Sequence, residues 1–211
     1  MFRHGLNNDI HKREGMEWQL PIQKVEIGNI NIGSPWAREH RREYEQKPMA
    51  PLSYFGTQFR IPFVSLLFPP LPILDYNAGT GKLTLDMSGT SLACIKMNTF
   101  QETLIGAILY HQYGWFKSNF SREDVKGGFQ PIFNDNKLSL YCPSIGQGVR
   151  GIPFYRDTWK TSFTAEDLVV GSRVRVAVKI HGISFLNGQD GSWSGRCRLQ
   201  HRILGMISVV E

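Results

Sequence analysis

The amino-acid sequence predicts a mainly β fold carrying one main helix. Several segments alternate apolar and polar residues with a period of two, and turn formers separate them, with 21 Gly and 11 Pro among 211 residues. One stretch alone changes to a period near 3.6. With 41% hydrophobic and 20% charged residues the chain can bury a core, which excludes a coiled coil, a collagen and a wholly disordered chain. No window approaches 18 uninterrupted apolar residues, and Met1 to Asn8 lack the apolar core of a secretory signal. The expectation is a soluble intracellular protein with no membrane partner.

Residues 1–20 lack periodicity and are read as a flexible lead-in to a single β-rich domain over 21–211. From Ile22 to Ile32 the alternation slips at Gly28 and Asn29, which predicts a bulged strand. Residues 34–51 form a charged connection with room for one short helix, closed by Pro48 and Pro51. Gln58 to Phe68 reads as a strand with Phe59, Ile61 and Phe63 on one side, bent or placed at an edge by Pro62 and broken by Pro69, Pro70 and Pro72. Lys82 to Met87 and Leu92 to Met97 read as a hairpin around Ser88, Gly89 and Thr90. Thr99 followed by Glu102 reads as a capping box opening the helix, whose inner face carries Phe100, Leu104, Ile108 and Trp115 and which ends near Lys117. Strands at Phe129 to Phe133 and Lys137 to Cys142 follow, then a glycine-rich loop through Gly146, Gly148 and Gly151. Two long strands, about Ser172 to Phe185 and Ser194 to Val210, close the chain.

The net charge of +6, from 24 Lys and Arg against 18 Asp and Glu, is unevenly placed. Residues 1–139 hold 15 basic and 13 acidic side chains, whereas 140–211 hold 9 and 5, so two-thirds of the excess falls in the last third. In the first closing strand Val174, Val176, Val178 and Ile180 alternate with Arg173, Arg175, Lys179 and His181. In the second, Arg196, Arg198, Gln200 and Arg202 alternate with Cys197, Leu199, His201 and Ile203, which makes His201 a core residue. A turn centred on Gln189 and Asp190 would place Lys179 opposite Gln200, His181 opposite Arg198 and Ala177 opposite Arg202, with Ile180 on Leu199 and Val176 on Ile203. Slipping either strand by one residue would bury three arginines, so the hydrophobic pattern selects this register or one of the same parity.

An ordinary solvated strand face mixes signs. This one holds five Arg, one Lys and one His with no intervening acid, which a bound anion explains better than water alone. Phe185 and Trp193 flank the hairpin tip, and Tyr141, Phe154, Tyr155 and Trp159 stand upstream, interleaved with Arg150, Arg156 and Lys160. Cations with aromatic faces beside them suit single-stranded nucleic acid, whose backbone takes the charge and whose bases stack. Each aromatic also has a plain reading as core filler.

Strands, one helix after the third or fourth, and a long final hairpin give the order of an OB-like Greek-key barrel with insertions. The stretch Val170 to Met206, with VGSRVRVAVKIHGISFL and GSWSGRCRLQHRILGM, resembles the closing strands of OB-fold single-stranded DNA-binding proteins, particularly those of large DNA viruses. The resemblance implies a replication or recombination accessory that coats single strands without sequence preference and without catalysis. The resulting expectation is DNA before RNA, with phosphates on Arg173, Arg175, Lys179, Arg196, Arg198 and Arg202. Bases would stack on Phe185, Trp193, Tyr141 and Tyr155, and His181, Gln200 and Trp159 complete the expected nucleic-acid-binding set. Self-association stays open. The alternative is a viral shell subunit of jelly-roll type.

Other chemistries find little purchase. AGTGKLT at Ala78 to Thr84 lacks the first Gly and the Ser or Thr of a phosphate loop, and reads as a tight hairpin turn. Cys94, Cys142 and Cys197 stand about fifty residues apart, and the six histidines show no metal-ligand spacing, so neither a metal nor a cofactor is expected. A nuclease would need acidic ligands, for which only Asp75, Asp86, Asp135 and Asp190 stand near loops. The expectation is a protein that is not an enzyme.

Overall fold

A computed structural model describes residues 19–35, 48–57, 59–142 and 168–209, and the backbone of 153–156 and 159–162. Residues 1–18 of the lead-in, the charged connection over 36–47 and the glycine-rich loop lie outside the described residues, and Leu20, at the end of that lead-in, already belongs to a strand. The rest is mainly β, a large mixed sheet with two helices. In chain order the elements are β1 (Leu20–Pro21), β2 (Ile30–Ile32), β3 (Met49–Phe55), β4 (Arg60–Ile61), β5 (Val64–Leu67), β6 (Leu71–Asn77), β7 (Lys82–Asp86), α1 (Ser91–Phe116), α2 (Arg122–Gly128), β8 (Phe129–Gln130), β9 (Phe133–Asn134), β10 (Lys137–Tyr141), β11 (Pro153–Arg156), β12 (Trp159–Ser162), β13 (Arg173–Asn187) and β14 (Trp193–Val209).

The bulged strand expected over Ile22 to Ile32 is instead two 3-10 turns followed by β2. Ile22, Val25, Ile27 and Ile30 all point inward, and two of their three spacings are the three residues of a 3-10 turn. Pro51 does not close the connection; it lies inside β3. The strand expected from Gln58 to Phe68 breaks at Pro62 and Phe63 into β4 and β5, as the proline suggested. Ile61 is buried, whereas Phe59 stays exposed. β6 went unanticipated because Pro69, Pro70 and Pro72 obscure its start.

β7 buries Leu83 and Leu85 as the alternation requires, but its neighbours are β6, through the Ala78–Gly81 turn, and β10. Leu92 to Met97 is not its hairpin partner. It is the first part of α1, which opens at Thr90, where the Cys94 amide donates to the Thr90 carbonyl at 3.0 Å. Ala93, Met97, Phe100, Leu104 and Ile108 then follow at the three- and four-residue spacings of a helix face. Thr99 is interior to α1 and its hydroxyl donates back to the Ile95 carbonyl at 2.9 Å, so the proposed box there is not a cap. The capping box in this region is Ser121 with Asp124, opening α2. α1 does end at Lys117, in the left-handed region with φ 56°. Trp115 packs only half-buried, and Gln112 clamps the following loop through both its amide atoms to Phe120.

β13 is the hub. One edge pairs with β14 along the whole hairpin; the other meets β6, β5 and β3 in succession. The expected register is overturned by β-bulges. Lys179 faces Arg202, Ile180 faces His201, Gly182 faces Gln200 and Ser184 faces Arg198, with shifts between Ala177 and Val178 and between Ile180 and Gly182. The second shift coincides with the close approach of β3, since a Cβ on Gly182 would collide with the Ala50 carbonyl oxygen. A further register shift lies nearer the tip, where Asn187 faces Trp193.

Candidate nucleic-acid interface

The hairpin has two unlike sides. Val174, Val176, Val178, Ile180, Ile183 and Phe185 of β13 and Cys197, Leu199, Ile203 and Met206 of β14 are buried. Each such side chain contributes about 1.5–3 kcal/mol when taken out of water, which fixes which side faces in. Arg175, Arg196, Arg198 and Arg202 are exposed on the other side, and Arg173 and Lys179 are half-buried there. The two bulges each insert one residue, His181 in β13 and Leu204 in β14, so the outward side is preserved while the pairing partners change. Two residues along a strand span about 6.7 Å, so Arg196, Arg198 and Arg202 form a row about 20 Å long.

Among the described residues, the two ion pairs join Glu102 of α1 to Arg122 and Lys126 of α2. Arg175, Arg196, Arg198 and Arg202 have no carboxylate partner among those residues. Arg173 donates from Nη2 to the Pro70 carbonyl at 3.3 Å, and the Lys179 ammonium lies 3.8 Å from the centre of the Phe63 ring. Gln200 donates to the Ser184 hydroxyl at 2.6 Å. His181 is half-exposed at the bulge.

The aromatic set divides. Phe185 and Trp193 are buried, which corrects their assignment as stacking platforms. The hairpin tip packs on the end of α1: Phe185 lies 4.7 Å from the Phe116 ring, and Trp193 lies 5.1 Å from both Phe116 and Phe120. The indole N–H of Trp193 donates to the Arg196 carbonyl at 2.8 Å, so its polar edge is satisfied internally. For Trp193 parity in the sequence could have shown this, because it shares the odd numbering of Cys197, Leu199 and Ile203; Phe185 is turned inward by the bulge at His181, which moves the buried residues of β13 from even to odd numbers. Tyr155 and Trp159 fall in β11 and β12, where the described backbone places Tyr155 opposite Ile207 of β14; their side chains lie outside the described residues.

Tyr141 is 44% exposed at the end of β10, with the Arg198 guanidinium carbon 5.4 Å from its ring centre. Its amide donates to Nε2 of His201 at 3.1 Å. His201 is half-buried, not a full core residue. Burial pushes its pKa down to about 4, and the charge of Arg198 and the nearby His181 add to that, so it is neutral at pH 7 and free to accept. Tyr141, Arg198 and His201 therefore form one unit where β10 returns to β14. Neither this unit nor the seat of Lys179 on Phe63 is visible in sequence spacing, since both join residues far apart in the chain.

The remaining candidates take local roles. Asp86 and Asp190 accept from the backbone and hydroxyls of Ser88 and Ser192 in turns, which lowers both carboxyls. The three cysteines are buried, and desolvation pushes Cys142 and Cys197 up to about 12, which keeps both as thiols. Among the described residues no three His, Cys, Asp or Glu side chains converge as a metal site, and no helix is long and apolar enough to cross a membrane. No protein-family model, curated protein or solved structure matches the chain.

Proposed function

We propose that this protein binds single-stranded nucleic acid, DNA in preference to RNA, along the outward side of the β13–β14 hairpin. The observation that carries the reading is the gathering of Arg175, Arg196, Arg198 and Arg202 on one exposed side, without carboxylate partners among the described residues. Like charges gathered on one face repel, and phosphates relieve that repulsion. Tyr141 beside Arg198 supplies an exposed ring on which a base can stack next to a neutralised phosphate. The sheet path β14–β13–β6–β7–β10 returns to β14 through Tyr141 and His201, which favours an OB-like barrel as the frame. On this reading the protein is a non-catalytic accessory of replication or recombination that does not read sequence.

Fluorescence anisotropy with labelled oligo-dT, oligo-U and a duplex tests the proposal. Engagement of about six phosphates predicts a slope of log affinity against log salt near −4, a loss of roughly two to three orders of magnitude between 50 and 200 mM salt. Oligo-dT should bind tightest. Equal and weak binding to all three would reject single-strand recognition.

A further inference from the structure

On the outward side of the sheet cations rest on aromatic rings at more than one place. Arg198 stands beside Tyr141 and Lys179 over Phe63, both at the hairpin. A further pair lies off it. The guanidinium carbon of Arg60, in β4, sits 4.0 Å from the centre of the Phe55 ring at the end of β3. Ala50 and Ile183 face each other and are both buried, so Pro51, which faces Gly182, lies on the outward side. Alternation along β3 puts Ser53 and Phe55 on that side too, while Leu52 and Tyr54 turn in. Arg60 faces Phe55 across the β3–β4 ladder and shares its side.

The connection between β3 and β4 holds another ring. Phe59 is 38% exposed and stacks on Tyr54, with 5.9 Å between ring centres and 20° between planes. A Cβ on Gly56 would stand 2.7 Å from the Phe59 ring, so the ring is seated across the backbone of the connection. Arg60, next to it in the chain, is exposed and has no carboxylate partner among the described residues. Phe63 follows three residues later, so Arg60 lies within about 10 Å of the ring that seats Lys179. Between this corner and Arg198 the outward side carries small side chains, Gly182 and Ser184 of β13 beside Pro51 and Ser53 of β3.

We infer that Phe59 and Arg60 form a second base-stacking subsite, and that a single strand leaves the hairpin at Lys179 and crosses to the β3–β4 connection. The inference rests on the function proposed above and gives that site its second end. Arg60, held on Phe55, offers N–H donors to a phosphate, and Phe59 offers a base its face, the division of labour that Arg198 and Tyr141 show at the other end. Along β13 and across two strand spacings the two ends stand roughly 20–30 Å apart. An oligomer of about four nucleotides reaches one end, and one of about twelve spans both.

Anisotropy of the full chain with oligo-dT of both lengths tests this. Phe59→Leu combined with Arg60→Gln should weaken the longer oligomer about 10-fold or more, shrink its advantage over the shorter one, and make its salt slope shallower by about 0.7, with thermal unfolding unchanged. Arg60→Lys alone, which keeps the charge and loses the plane, should keep the slope and lose part of the affinity. A second measurement does not depend on any variant: the longer oligomer carrying iododeoxyuridine at one end or the other, irradiated on the unaltered chain, should mark Tyr141 from one end and Phe59 from the other. Tight binding that both variants leave unchanged, or adducts confined to Tyr141, would overturn the inference and leave the hairpin reading standing. Failure of the unaltered chain to bind the longer oligomer would overturn both.

Discussion

The outward side of the β13–β14 hairpin and the outward stripe of α1 start from the same arrangement, a periodic element with one side in the core. They differ in what the free side carries. The hairpin presents Arg175, Arg196, Arg198 and Arg202, whereas α1 presents Leu92, Ile95, Tyr110 and Tyr113 around a single compensated carboxylate. The first surface suits a polyanion, and its interactions weaken with salt; the second suits an apolar partner, and salt should leave it nearly unmoved. One small protein thus separates charge from apolar surface instead of mixing them.

Reversing the charge on one side alone should break the contrast most sharply. Arg198→Glu with Arg202→Glu should lower oligo-dT affinity by more than 100-fold at low salt, read by anisotropy, while unfolding stays within about 1 kcal/mol because both side chains are exposed. Equal affinity in this variant would place the ligand elsewhere. Next in size, Trp193→Ala should destabilise the fold by about 3–5 kcal/mol in urea, since it opens a cavity among Phe116, Phe120 and Phe185. Tyr141→Ala should do the reverse, leaving stability almost unchanged and costing about 1–3 kcal/mol of binding, with Tyr141→Phe retaining most of it. If Trp193→Ala left stability intact and weakened binding, the division of the aromatics would be wrong.

A last test, read as a slope against pH, concerns the ground beneath the charged side. His201 ordinarily titrates near 6.5, and here at about 4. Between those values the unfolded chain holds a proton that the folded chain refuses. Stability therefore falls as pH drops through that window, by at most about 1.4 kcal/mol per pH unit from this group. His201→Gln, which keeps an acceptor for the Tyr141 amide, should flatten the slope in urea titrations between pH 7 and pH 4. An unchanged slope would mean that His201 is protonated in the folded state.

Much of the hairpin was legible in the sequence because burial of one side imposes parity, and Val174 to Ile180 with Cys197 to Ile203 state that parity openly. The pairing was not, because bulges at His181 and Leu204 shift it, and the first lies where Gly182 approaches Ala50 of a strand distant in the chain. The alternation holds within each segment, but it changes phase at each bulge, from Ile180 to Ile183 in β13 and from Ile203 to Met206 in β14, and the register changes with it. The start of α1 was hidden for a different reason. Leu92 to Met97 is too short an apolar run to distinguish helix from strand, and Thr99 with Glu102 mimics a cap that Ser121 and Asp124 in fact form. The Tyr141, Arg198 and His201 unit joins β10 to β14 across sixty positions, a distance over which spacing says nothing.

The most direct measurement is the salt slope of oligo-dT affinity in single charge-removal variants. Arg196→Gln, Arg198→Gln and Arg202→Gln should each make the slope shallower by about 0.7, one phosphate apiece, while Lys117→Gln at the end of α1 leaves it unchanged. Slopes that ignore the three hairpin changes, or that respond equally to Lys117→Gln, would contradict the assignment of the hairpin as the binding surface.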